Sequence, residues 1–162
     1  MKKILLSTLM LIASLPIFAQ LNVQLHYDFA DALYGDKLSN RPHWTATVEN
    51  FKADKWGSTY FFIDMDFGGN TMKSAYAEIS RELRFWEAPF AAHIEYNGGL
   101  SGSGSYNDAY LAGGAWNWAN KDFSKTFSLQ LLYKYLANQQ VGSKHSWQIT
   151  TVWGIHFAKG LC

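Results

Sequence analysis

Apolar and polar side chains alternate with a period of two along most of the chain beyond residue 20. The longest such stretch runs from Trp56 to Trp86. In its first arm Thr59, Phe61, Ile63, Met65 and Phe67 share one face, and Ser58, Tyr60, Phe62, Asp64 and Asp66 share the other. In its second arm Ala75, Ala77, Ile79, Leu83 and Phe85, broken by Arg81, oppose Ser74, Tyr76, Glu78, Ser80, Glu82 and Arg84. This period predicts two strands rather than a helix. Gly68-Gly69-Asn70 supplies residues that tolerate positive φ at the reversal. The arms exceed the usual length of a soluble strand and match the roughly 9–11 residues that cross a bilayer at a tilt.

The same alternation predicts further strands over 21–30, 44–51, 90–97, 109–116, 126–135 and 146–157. Between them lie breaker-rich loops at 31–42, 98–105 and 136–144, and short turns near 53–55, 87–89 and 120–122. The Gly/Ser stretch 98–105 reads as a loop too small-residued to pack; no helix follows it, so it is not a phosphate loop. The expected fold is all-β: an antiparallel up-and-down transmembrane β-barrel with about eight strands present. Long loops mostly on one rim and tight turns mostly on the other suit an outer-membrane barrel.

Composition sharpens this picture at the ends. Lys2 and Lys3 precede an apolar run, Ile4 to Ile17, that ends at Ile17-Phe18-Ala19, so residues 1–19 read as a cleaved secretory signal peptide. Residues 20–162 then form the barrel domain, and no later apolar run is long enough for a spanning helix. The single cysteine, Cys162, allows no internal disulfide. Net charge is +1, which gives no reason to expect nucleic acid as a partner. Aromatics make up 17 % of the chain, an excess that suits membrane interfaces.

The apolar face is almost free of charge, with Arg81 near a strand end as the exception. Trp44, Phe67, Phe85, Phe90, Tyr96, Tyr135, Trp147 and Phe157 cluster toward strand ends as aromatic girdles. The other face carries few lysines and many amides, hydroxyls and carboxylates, as in a crowded aqueous lumen. Ile63, Ile79, Leu129 and Ile149 are therefore expected to face lipid, and Asp64, Glu78, Gln130 and Gln148 the lumen. An exported soluble barrel with its apolar face inward remains an alternative.

Several runs resemble a known family. Phe51-Lys52-Ala53-Asp54-Lys55-Trp56, then Tyr60-Phe61-Phe62-Ile63-Asp64 and Phe67-Gly68-Gly69, are similar to the second and third strands of the nucleoside-specific channel-forming outer-membrane proteins, the Tsx type. Ala77-Glu78-Ile79 before Arg81, Tyr110 with Gly113-Gly114, and Phe127-Ser128-Leu129 with Tyr133-Lys134-Tyr135 follow in the expected order. The resemblance covers most of the chain beyond the leader. It implies a monomeric twelve-stranded barrel with a narrow lumen that passes nucleosides, in the outer membrane of a Gram-negative bacterium. The likeness extends to related barrels of unassigned function. The chain supplies fewer strands than that family and runs past Phe157 into Ala158-Lys159-Gly160-Leu161-Cys162. It is therefore expected to be incomplete at its C-terminus, with 21–30 and 146–157 not hydrogen-bonded to each other; a complete eight-stranded barrel is the alternative.

No enzyme is expected. The inward carboxylates Asp28, Glu49, Asp64, Asp66, Glu78, Glu82 and Glu95 show no spacing that marks a glycosidase pair. His26, His93 and His156 lie on non-adjacent strands, so no metal site and no cofactor are expected. A channel for nucleosides or similar small solutes wants aromatic platforms for a base and polar groups for ribose hydroxyls, each binding weakly. Tyr60, Phe62, Tyr76, Tyr110 and Trp116, beside Asp64, Asp66, Glu78, Glu82 and Arg84, are the candidate substrate-contacting residues. The same side chains could instead fill a closed structural barrel.

Overall fold

The computed structural model describes residues 21–29, 41–106 and 108–156. The expected leader, most of the first loop, and the tail from Phe157 lie outside the described residues. Within them the chain is all strand and turn, with no helix. The strands are β1 (Leu21–Tyr27), β2 (Trp44–Asp54), β3 (Gly57–Gly68), β4 (Thr71–Leu83), β5 (Phe90–Ser101), β6 (Gly104–Ser105), β7 (Ala109–Ala119), β8 (Lys125–Leu136) and β9 (His145–Ile155). All pairs are antiparallel in one sheet of order β1-β2-β3-β4-β5-β7-β8-β9, with β6 folded back on β5. This is the expected up-and-down, barrel-like order. The sheet is open: among the described residues β1 pairs only with β2, and β9 only with β8.

The central hairpin forms as its pattern predicts, reversing at Gly69-Asn70, where Gly69 takes a φ of 63°. One difference concerns the Gly/Ser stretch 98–105. Gly98 to Ser101 continue β5 and pair with Ala77 to Ser74, and Gly104–Ser105 form β6. The long β4 offers these small residues a ladder to join. A Cβ at Gly99 would stand 2.3 Å from the Ala75 carbonyl oxygen, so the close strand approach depends on glycine there. β6 brings the strand count to nine against the expected eight.

Register fixes the two faces. Val48, Ile63 and Ala77 share one row, and Thr47, Asp64 and Tyr76 the next row on the opposite face. The first face is convex and open: Ile149 is 70 % exposed, Ile79 50 % and Leu25 62 %. The other is concave. Glu82 on β4 accepts hydrogen bonds from Asn117 on β7 at 2.9 Å and from Gln130 on β8 at 3.3 Å. In a flat sheet β4 and β8 would stand roughly 14 Å apart, so these contacts require strong curvature. Leu111, Leu132, Ala109 and Ala115 lie on the floor of the trough, Leu132 with no exposed surface at all.

Candidate functional site

The concave face is built on β2, β3 and β4 as a wall of carboxylates held by neutral donors. Thr45 and Ser74 donate to Asp66 at 2.6 and 2.7 Å, and Thr47 donates to Asp64 at 2.5 Å. Asn22, Gln24 and Tyr60 donate to Glu49 at 2.8–2.9 Å. Tyr76 donates to Glu78 at 2.6 Å. These partners sit in place because each lies directly or diagonally across the ladder or, for Tyr76 and Glu78, two residues along one strand on the same face, all within reach of a side chain. Hydroxyl and amide donors satisfy the oxygens without cancelling their charge.

The same wall carries a chain of rings. Tyr60 and Phe62 have centroids 6.0 Å apart, Phe62 and Tyr76 6.1 Å, and Tyr76 and Tyr106 6.2 Å. The structure thus brings together Tyr60, Phe62, Asp64, Asp66, Tyr76, Glu78 and Glu82, as expected. Arg84 stands at the exposed rim of the cavity that Glu82 lines. Tyr106 joins the ring chain unpredicted, because the Gly/Ser stretch concealed the hairpin that positions it; its N–H donates to the Gly99 carbonyl at 2.9 Å.

Two expected residues are misplaced. Tyr110 and Trp116 lie on the convex face, not in the trough. Tyr110 pairs with Tyr96 and Tyr135 and is 51 % exposed. Trp116 pairs with Phe90 and Leu129 on that same face, and its ring meets Phe127 at 6.0 Å. β7 turns Ala109, Leu111, Gly113 and Ala115 inward instead. The tight curl explains the inversion, since side chains from β4 and β8 meet over β7 and leave space only for small residues beneath. At Gly113 the limit is instead the backbone of β8, since a Cβ there would come within 2.1 Å of the Leu131 carbonyl oxygen.

One residue of the concave face lies outside the expected set. His93, 3 % exposed, is set between two carboxylates, with Nε2 3.1 Å from Glu95 and Nδ1 3.5 Å from Glu82. Register places Glu82 directly across from His93, and Glu95 lies two residues along on the same face. The His-x-Glu spacing was visible in the sequence; the pairing with Glu82 was not. A cavity of about 730 Å³ opens beside this cluster, lined by Phe51, Tyr60, Glu82, His93, Gln130 and Val152 among others. A smaller one of about 340 Å³ lies among Tyr76, Asn97, Tyr106, Ala109 and Lys134.

On the convex face the aromatics form two bands. Near the long connections lie Tyr27, Trp44, Phe67, Tyr110, Tyr135 and Trp147, with Tyr27 and Trp44 4.8 Å apart. Near the tight turns lie Trp56, Phe85, Trp86, Phe90, Trp116 and Trp153, with Trp56 and Phe85 5.6 Å apart. Between them the face is mostly aliphatic, interrupted by the Asn50–Phe61 pair and by Thr151. Arg81 is accounted for: it donates to both oxygens of Asp54 at 2.7 and 2.8 Å and to Thr59 at 2.9 Å. Those bonds from Arg81, then one from the Trp56 N–H, pull the Asp54 carboxyl at the turn down to about 2.

The chain has the following kinship. It belongs to the family described as Domain of unknown function (DUF5020), whose model matches residues 19–162. No curated protein and no solved structure matches it.

Proposed function

We propose that this chain forms an outer-membrane β-barrel that passes nucleosides or similar small solutes, as the Tsx-type channels it resembles do. The observation that carries the reading is the division of one curled sheet into a convex face of exposed aliphatics between two aromatic bands and a concave face of carboxylates, amides and hydroxyls. Water penalises the first face; hydrocarbon penalises the second. Phe127, paired with Trp153 at the tight-turn band, and Tyr135 in the other band stand roughly 27 Å apart along β8 at the usual strand rise. At the usual tilt of about 35–45° this is a height of roughly 19–22 Å, somewhat under the apolar band of about 25 Å in such barrels.

In this reading the long connections face outward and the tight turns the periplasm, after export and removal of residues 1–19. The rings of Tyr60, Phe62, Tyr76 and Tyr106 give a flat solute a path with weak, repeated stacking contacts. Asp64, Asp66 and Glu78 offer acceptors for hydroxyls along the same wall. Several weak sites in series let a solute enter and leave.

Planar-bilayer recording tests this. The full chain, refolded and inserted, should give discrete conductance steps that adenosine reduces, with less reduction in Phe62→Ala. Membrane insertion without conductance would mean a closed structural barrel. Recovery in the soluble exported fraction would mean a ligand-binding soluble barrel.

A further inference from the structure

The concave face holds acceptor atoms that stacking and hydroxyl contacts do not use. Asn97 lies directly across from Glu78 in the β4–β5 register. It is 4 % exposed, it lines the smaller cavity, and its Oδ1 meets no donor among the described residues. Glu95, two residues back on the same face, gives Oε2 to His93; its buried Oε1 has no donor at full hydrogen-bond geometry among the described residues, and the Asn97 side chain is the polar group that interacts with this carboxylate from its own strand. A buried acceptor left open has lost its hydration with no hydrogen bond in return. Whatever completes these two must bring N–H or O–H groups.

Charge narrows the choice. Among the described residues no lysine or arginine forms an ion pair with Glu49, Asp64, Asp66, Glu78, Glu82 or Glu95. One ammonium does face this tier. Lys134 lines the same cavity as Asn97 and lies in electrostatic range of both Glu78 and Glu95, while its Nζ donates to Gln148 at 3.2 Å. The Tyr76 and Tyr106 rings stand at the cavity's edge, where an aromatic face favours a cation.

We propose that the concave face binds a solute bearing a primary ammonium or guanidinium group at the tier of Glu78, Glu95 and Asn97. Asn97 Oδ1 and Glu95 Oε1 accept its N–H groups, and Lys134 is a tethered competitor. The transport consequence, a passage that prefers cations to anions, rests on the channel reading; the binding site does not.

Agmatine, which carries both groups, serves as the probe, titrated calorimetrically into the full chain refolded in detergent. Wild type should bind it. Charge-assisted hydrogen bonds are the strong ones, so Asn97→Asp should bind about tenfold tighter and Glu95→Gln about tenfold weaker. Lys134→Met should bind at least as tightly as wild type, and acetate should not bind. Glu95→Gln disturbs the His93 contact; if it fails the heat-modifiable mobility test of folding, Asn97→Asp carries the comparison. No binding of agmatine by wild type, or equal affinity in wild type and Asn97→Asp, overturns the proposal. Reversal potentials across a KCl gradient separate the two readings. A conducting chain that does not favour K⁺ over Cl⁻ overturns the selectivity and leaves the channel. Agmatine binding that tracks position 97 in a chain that does not conduct upholds the site and removes the channel.

Discussion

The inner faces of β3 and β7 belong to one trough and are built in opposite ways. β3 presents Tyr60, Phe62, Asp64 and Asp66, all large and all but Phe62 polar, each meeting partners one strand away. β7 presents Ala109, Leu111, Gly113 and Ala115, small and mostly buried, beneath side chains that reach across from β4 and β8. The difference is one of curvature. Where the sheet is broad, inward side chains can be long and carry the chemistry. Where it curls hard, inward side chains must be short, and bulk moves to the outside. Tyr110 and Trp116 face outward for that reason.

The largest expected effect separates the two regions directly. Leu132 is packed on the curled side with no exposed surface, so Leu132→Ala should cost about 2–5 kcal/mol of stability. Phe62→Ala, on the broad wall where the ring is only half-buried, should cost less. Urea unfolding from lipid vesicles measures both, and the reverse order would break the comparison. On the convex face, Ile149→Arg should cost about 2–4 kcal/mol if the position lies near the bilayer midplane, with Gln148→Arg well below it. Equal costs in the same assay would argue against lipid contact at Ile149.

A smaller effect sharpens the curvature argument. Ala115→Phe adds bulk where the curl leaves none and should cost about 1–3 kcal/mol. The same ring at Ser58, which lines the larger cavity, should cost less. Labelling then checks the correction on β7 without any energy. In membrane-inserted cysteine variants a membrane-impermeant thiol reagent should reach position 64 but not position 110. Strong labelling at 110 and none at 64 would restore the opposite facing.

The smallest effect is at the tight turns. The folded Asp54 carboxyl sits near 2, below its ordinary 3.8, chiefly because Arg81 bonds to it. The stability this pair adds is therefore full above pH 3.8 and fades as the pH falls through about 2. The difference in urea midpoint between wild type and Arg81→Ala should shrink over that window. A difference that persists at pH 1.5 would mean that Arg81 acts through Thr59 or packing instead.

Much of this was legible beforehand, for a physical reason. A strand turns alternate residues to opposite sides, so a sequence with clean alternation declares its two faces without reference to any neighbour. Leu21 to Tyr27, Thr59 to Phe67 and Trp147 to Ile155 did so, and Gly69-Asn70 marked its own turn. That logic fails where both faces hold small or apolar residues. From Ala109 to Ala115 the residues alone give no preference, and only packing beneath the Glu82 bridge decides which side is inside. It fails again between strands. That Glu82 meets His93, that Gln130 reaches Glu82 over two intervening strands, and that Asn97 and Glu95 keep open acceptors near Lys134 all depend on register and curvature. Those are properties of the assembled sheet, set by many residues together, and no single stretch of sequence carries them.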